Sequence, residues 1–215
     1  MLPPNIKVII ADDHAILRDG LKQILSETDD IQVIAEAESA TEAIMVARKN
    51  PADVLVLDIS LPDRNGVEAL KILKKENPNL AVLMLSMHKE DQYAIRSLKA
   101  GASGYLTKQG ASSELVLAIR AIAKGKKYLS ASVAESLANH LGDEEKPLHQ
   151  TLSDREFQTL TMIASGMTVG DIAEKLCLSV KTISVYRARL LEKMHLHNNS
   201  EITHYAIKNH LIDSE

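Results

Sequence analysis

The sequence predicts two domains of different class: an N-terminal α/β domain with a five-stranded, parallel, doubly wound sheet, and an all-α C-terminal domain built around a helix-turn-helix. Three observations lead there. Up to Gly125, five short apolar runs alternate with stretches whose apolar residues recur every three to four positions, the mark of β/α repeats. The runs "VIIA" and "VLVL" are apolar at every position, as strands covered by helices on both faces must be. From Leu152 onward only helical spacing remains. A chain of 215 residues is long enough to bury two cores.

In chain order, the expected strands are "IKVIIA" (6–11), "IQVIAEA" (31–37), "VLVLD" (54–58), "AVLML" (81–85) and "GYL" (104–106). Between and after them, "AILRDGLKQILSE", "TEAIMVARK", "GVEALKILKK", "DQYAIRSLKA" and "SSELVLAIRAIAKG" carry helical spacing. The α/β domain is therefore assigned to residues 1–128. A connecting helix, "SASVAESLANHL", and a polar linker, "GDEEKPLHQ" with Gly142 and Pro147, fill 129–150. The second domain, 151–215, is read as helices at 154–164, 169–176, 180–194 and 201–209. Ser153 with Glu156 three residues on forms a capping-box pattern for the first, and Ser179 can cap the third.

Composition limits what the chain can do. Hydrophobic residues make up 45% and aromatic residues only 3%, with no Trp; the core is aliphatic, and the composition argues against disorder and against an aromatic-lined site for sugars or single strands. The single cysteine, Cys177, rules out an internal disulfide framework and a cysteine-built zinc site. It is read as a buried turn residue, and a reducing, cytoplasmic setting is expected. No run approaches the roughly 18 apolar residues of a membrane span, and no signal peptide or membrane partner is expected. Net charge is -4. From Lys175 to Lys193, however, five cations (Lys175, Lys181, Arg187, Arg189, Lys193) face one acid, Glu192, a local excess of four positive charges.

The acids at the strand ends carry the chemistry. Asp12 and Asp13 end the first strand and Asp58 ends the third. In a parallel sheet these ends share one edge, where ligands of such folds bind. Three converging carboxylates repel one another unless a hard divalent cation neutralises them, and Mg²⁺ with its oxygen preference suits the set. Ser86 and Lys108 follow the fourth and fifth strands to the same edge. A hydroxyl and an ammonium beside a metal-carboxylate cluster suit a phosphoryl group. His14 and His88 are read as bystanders of an oxygen-rich site, and Tyr105, taken alone, as a core residue with its hydroxyl at the rim.

The motifs "ADDH", "LVLDISLP", "LS" and "GYLTK", over residues 6–125, resemble the CheY-like receiver domain of two-component response regulators. The resemblance implies that Asp58 is a phosphoacceptor supplied by a sensor histidine kinase. It also implies that Asp12, Asp13, Asp58 and the main chain of Ser60 hold Mg²⁺, and that Ser86 and Tyr105 form a switch. Gln109 departs from the pattern, standing where many receivers carry proline.

In the second domain, "TVGDIAEKLCLSVKTISVYRARLLEKM" contains two helices joined by a short turn at Cys177 to Ser179, as in a helix-turn-helix whose second helix enters the major groove. Residues 152–212 resemble the LuxR-type output domain of NarL/FixJ-class regulators, through Leu152, Arg155, Glu156, Gly166, Ile172, Ala173, Leu176, Ser179, Lys181, Thr182, Lys193, Asn198 and Glu201. Val169, Gly170, Tyr186 and Asn199 depart from that pattern. On the second helix, Lys181, Thr182 and Tyr186 suit phosphate contact. Ser184, Val185, Ala188 and Arg189 face the groove, with Arg187 exchanging for Arg189 if the helix phase differs.

An excess of four charges is meagre for one subunit on double-stranded DNA, so a homodimer favoured by phosphorylation is expected. The whole reads as a phosphorylation-switched transcription factor and not an enzyme. Two rivals are a Mg²⁺-dependent phosphohydrolase, disfavoured by the short "ISLPDRNG" loop after Asp58, and a constitutive DNA-binding protein, disfavoured by the complete acceptor set.

Overall fold

The structure, a computed structural model, describes residues 5–87, 91–130, 133–134, 147–209 and 211–212. Its contacts divide the chain into two units, Met1–Ala138 and Asn139–Glu215. The first contains strands β1 (Ile6–Ala11), β2 (Ile31–Ala37), β3 (Val54–Asp58), β4 (Ala81–Ser86), β5 (Gly104–Thr107) and β6 (Tyr128–Leu129). Interleaved with them are helices α1 (Ala15–Ser26), α2 (Ala40–Lys49), α3 (Gly66–Glu76), α4 (Asp91–Lys99) and α5 (Ala111–Ala123). Every strand pairing is parallel, in the order β2-β1-β3-β4-β5-β6.

The sheet has six strands where five are expected. The additional strand, β6, is two residues long and pairs with β5 at Gly104 and Tyr105. Two residues carry no alternation for a sequence pattern to reveal. Gly104 permits the approach, since a Cβ there would lie 2.9 Å from the Tyr128 carbonyl oxygen. The interior strands β3 and β4 are buried at every position, as a sheet covered on both faces requires. Val8, Ile10, Val54, Val56, Leu83 and Leu85 pack on one face against Leu21 and Leu25 of α1 and Leu115 and Ile119 of α5. Helices α2, α3 and α4 form a contiguous layer. Local chemistry sets the helix starts: Ser39 accepts a hydrogen bond from the Glu42 N–H, and buried Asn65 accepts one at 2.8 Å from the Val67 N–H.

The connecting helix expected at 130–141 and most of the linker at 142–150 lie outside the described residues, although Val133 and Ala134 are helical. Pro147 leads into a 3-10 turn, Leu148–Thr151. There the buried His149 ring meets the Tyr205 hydroxyl at 3.0 Å and tilts against Phe157. The second unit then consists of α6 (Asp154–Ala164), α7 (Val169–Lys175), α8 (Val180–Met194) and α9 (Asn199–Lys208). The Ser153–Glu156 capping box is formed, and Thr168 with Asp171 makes a second. Helix α9 starts two residues earlier than expected because Asn198 caps it, accepting from the Glu201 N–H at 3.0 Å. Helix α6 packs against α8 and α9, with Phe157, Leu160, Ile183, Leu190, Met194 and Ile202 buried.

Two glycines test this packing in opposite directions. A Cβ on Gly66 would lie 2.1 Å from the Asp58 carbonyl oxygen, whereas one on Gly20 meets nothing within 4 Å. Gly66→Ala is expected to destabilise the first unit by about 1–3 kcal/mol. Gly20→Ala, inside α1, is expected to stabilise it by roughly 0.8–1 kcal/mol. Urea midpoints of the two variants check both signs.

Candidate functional site

Strand register builds the site. Ala11 pairs with Leu57, so Asp12 and Asp58 leave β1 and β3 side by side. Asp58 pairs with Leu85, which brings Ser86 alongside. Ser86 pairs with Thr107, and Lys108 comes next. In this strand order the connections reverse direction between β1 and β3, where the crevice of a doubly wound sheet opens.

The edge holds more negative charge than positive. Lys108 Nζ lies 2.7 Å from Asp12 Oδ2 and donates to Asp58 Oδ2 at 2.9 Å. All three side chains are buried. Two carboxylates share one ammonium, and Asp58 Oδ1, also buried, accepts no hydrogen bond. Burial pushes the Asp58 carboxyl up to about 6; the Lys108 charge pulls against it, the Asp12 charge adds to it, and the hydrogen bond from Lys108 lowers it. Burial works against the Lys108 ammonium too, but the charges and hydrogen bonds of Asp58 and Asp12 outweigh it, and its pKa is raised.

Asp13 and His14 stand exposed at the mouth. His14, read from the sequence as a bystander, touches both acids of the pair: its Nδ1 is 3.1 Å from Asp12 Oδ1 and 2.8 Å from Asp13 Oδ1. Its main-chain N–H donates to Asp12 Oδ1 at 2.9 Å. Single ligand atoms of Asp12, Asp13, His14 and Asp58 all lie within 4.8 Å of one another. The oxygen-rich donor set, the surplus negative charge and the orphaned Asp58 oxygen fit a hard divalent cation. His88 lies outside the described residues.

Ser86 is buried, and its main-chain oxygen accepts from the Lys108 N–H at 2.7 Å. Tyr105 is wholly buried, its hydroxyl not at the rim, and its main chain is paired on both sides, with Met84 of β4 and Leu129 of β6. Sequence reasoning missed Arg18. This buried arginine donates to the Asp12 carbonyl oxygen at 2.6 Å and to Glu38 Oε1 at 2.5 Å, with Glu36 3.4 Å away. It ties the main chain of the acid pair to the end of β2. A signal existed: positions 18, 21 and 25 make the buried face of α1, and Arg18 is the charge among them.

In the second unit, α7 and α8 are joined through Cys177, whose φ is +51°. Cys177 is exposed, contrary to the expectation of a buried turn residue. The left-handed turn lets the Leu178 N–H close onto the Ala173 oxygen at 2.9 Å, and it is Leu176 that enters the core. Along α8, Lys181, Ser184, Val185, Ala188, Arg189 and Glu192 form the exposed face, opposite buried Ile183, Leu190 and Met194; Thr182, Tyr186 and Arg187 are half-buried flanks. Arg187 Nε donates to Asn199 Oδ1 at 2.7 Å. Lys193 Nζ donates to Glu156 Oε2 at 2.6 Å. Two cations of the basic stripe are thus engaged internally.

A parallel sheet with a charge-unbalanced acidic edge at its switch point, on the same chain as a helix-turn-helix unit, defines a two-part signalling regulator. Residues 8–120 match the response regulator receiver domain family, and residues 150–206 match the luxR family of bacterial regulatory proteins. The chain belongs to the two-component response regulators of the NarL/FixJ class. It is 35% identical over 212 residues to the response regulator UvrY of Escherichia coli K12, covering 98% of this chain and 97% of that one. Among solved structures it resembles RcsB from Salmonella enterica serovar Typhimurium bound to promoter rprA with phosphomimetic BeF3⁻, at 29% identity and a TM-score of 0.64, covering 94% of this chain and 98% of that one. A structure of two RcsB dimers bound to two parallel DNAs matches at 32% identity and a TM-score of 0.60, covering 94% and 97%.

A carboxyl whose folded pKa lies above its unfolded value costs stability once pH exceeds both, and the cost disappears as pH falls below both. With Asp58 at about 6 against an ordinary 3.8, Asp58→Asn is expected to stabilise the metal-free protein near neutral pH by up to about 3 kcal/mol. The difference should close as pH falls through 6 toward 4, and Mg²⁺ should narrow it by stabilising the wild type. Denaturant titrations in EDTA and in Mg²⁺ measure each change.

Proposed function

We propose that Asp58 accepts a phosphoryl group from a sensor histidine kinase, and that the phosphorylated chain dimerises on double-stranded DNA through its helix-turn-helix to regulate transcription. The observation that carries this reading is the orphaned Asp58 Oδ1, buried at an edge where two carboxylates share one ammonium. In this reading Asp12, Asp13, Asp58 and the Ser60 main-chain oxygen hold Mg²⁺. When bound, the ion supplies positive charge to the oxygens of the transferring group.

The residues of the chain do the rest. An Asp58 carboxylate oxygen forms a bond to phosphorus as the phosphorus–nitrogen bond of the donor histidine breaks, a transfer that needs alignment and charge stabilisation more than a general base. Lys108, already held at Asp58, pairs with a phosphoryl oxygen, and the Ser86 hydroxyl donates to another. That contact draws Ser86 toward the adduct, and Tyr105, on the neighbouring strand, responds as the second half of the switch. The chain accepts its own phosphoryl group and turns over no metabolic substrate, so it is not an enzyme; a phosphohydrolase would release product repeatedly from added phosphomonoesters. On α8, Lys181, Thr182 and Tyr186 meet phosphates, Ser184, Val185, Ala188 and Arg189 meet base edges, and Arg187 lies at the flank. The DNA-bound dimers of RcsB support the two-fold arrangement. A DNA target and a reducing setting make the compartment the cytoplasm.

Binding to genomic fragments with and without an acyl-phosphate donor and Mg²⁺ tests the proposal. The donor is expected to raise both DNA affinity and the dimer fraction of the wild type, and to do neither for Asp58→Asn. Equal affinity and equal dimerisation in every condition would reject the phosphoswitch. Lys181→Ala is expected to weaken binding to all duplexes alike and to reduce the log–log salt slope by about 1 for each half-site.

A further inference from the structure

The surface that α8 offers to a polyanion has an apolar centre. At 3.6 residues per turn, Lys181, Val185, Ala188 and Glu192 fall along one line of the exposed face, flanked by Ser184 and Arg189. Val185 is 41% exposed. The Ser184 hydroxyl donates to the Val180 oxygen at 2.8 Å, so its proton is directed back into the helix, and Arg187 is turned to Asn199. What stands outward at mid-face is the pair of Val185 methyls, the Ala188 methyl and the neighbouring Arg189 guanidinium.

In the major groove, the apolar group presented by the four bases is the C5-methyl of thymine, while a guanidinium fork matches guanine O6 and N7. Resting on the reading that α8 enters the major groove, we infer that each half-site is recognised through thymine methyls packed on Val185 and Ala188, with a neighbouring guanine read by Arg189. Lys181, in the first turn, then supplies phosphate attraction without base preference. Specificity in this chain comes from methyl contact and one charged fork, and the half-site is a thymine-containing element with a guanine close by.

Uracil is thymine without the methyl, which makes the inference directly testable. Duplexes are selected from a random library with the full-length chain, in the presence and absence of an acyl-phosphate donor, and each thymine of the selected site is replaced in turn by uracil. Replacement at the contacted positions is expected to weaken binding about fourfold per methyl. Val185→Ala, at an exposed position that leaves folding intact, is expected to abolish most of that penalty at one position while preserving binding to unselected DNA at low salt. Arg189→Ala should relax the preference for guanine by at least about fivefold. A selected site without thymine, or uracil tolerated at every position, would overturn the inference while leaving groove binding intact. Failure to select any duplex under either condition would overturn the groove reading and the inference together.

Discussion

Two buried carboxylates contending for one ammonium set the terms for the whole first unit. At 2.7 and 2.9 Å, each attraction to Lys108 is worth roughly 6 kcal/mol at an effective dielectric near 20. Against this stand the desolvation of three ions, several kcal/mol each, and the repulsion between Asp12 and Asp58. The balance is close, and it leaves one negative charge without a partner. Such an edge takes a proton at Asp58 or takes up a cation, and either event changes the charge at the end of β3. The parallel sheet is what forces the conflict, because strand register delivers both acids to the same place however unfavourable their company.

Holding the acids there takes support from outside the pocket. Arg18 fixes the main chain of Asp12 from below, and Gly66 lets the start of α3 close over the main chain of Asp58. These contacts limit how far the carboxylates can separate to relieve their repulsion. In the proposed switch, that rigidity makes a covalent charge on Asp58 act on its neighbours instead of being absorbed by relaxation. Turning a two-state equilibrium from 1:99 to 99:1 requires about 5.5 kcal/mol of differential interaction. One or two charge-assisted contacts made in a water-poor site are of that order. In the same proposal Ser86 and Tyr105, both buried on adjacent strands, carry the change onward.

The site was legible to the extent that it depends on local pattern. Asp12, Asp58, Ser86 and Lys108 could be placed because each follows an apolar run, and parallel strands share their carboxyl edge. Ser153 and Glu156 announced a helix start for the same local reason. The strand β6 was not legible, being too short for any periodicity. Arg18 and Gly66 act through the main chain of Asp12 and Asp58 and, for Arg18, through Glu38 beyond β2, contacts that no periodicity of the sequence announces. The exposure of Cys177 depends on the sign of one backbone angle. The question of Arg187 against Arg189 depended on helix phase, which buried Ile183, Leu190 and Met194 fix.

Packing also changes the electrostatics that the sequence suggested for the second unit. Of the five cations in the stripe, Lys193 is paired with the Glu156 carboxylate, which offsets its charge, while Arg187 keeps its charge but is turned to the Asn199 amide. The attraction that one subunit offers a duplex is therefore weaker than a count of charges implies. If Lys175 and Lys181 of each subunit reach phosphates while Arg189 reads a base, the log–log salt slope is about -1.8 for one subunit and about -3.6 for a symmetric pair. With so few phosphate contacts, doubling the surface in the proposed dimer roughly doubles the electrostatic attraction to a duplex. In the proposed switch this gives dimerisation its leverage: a strongly basic recognition unit would bind without a second copy, whereas one with an apolar centre and few free cations gains most from being doubled.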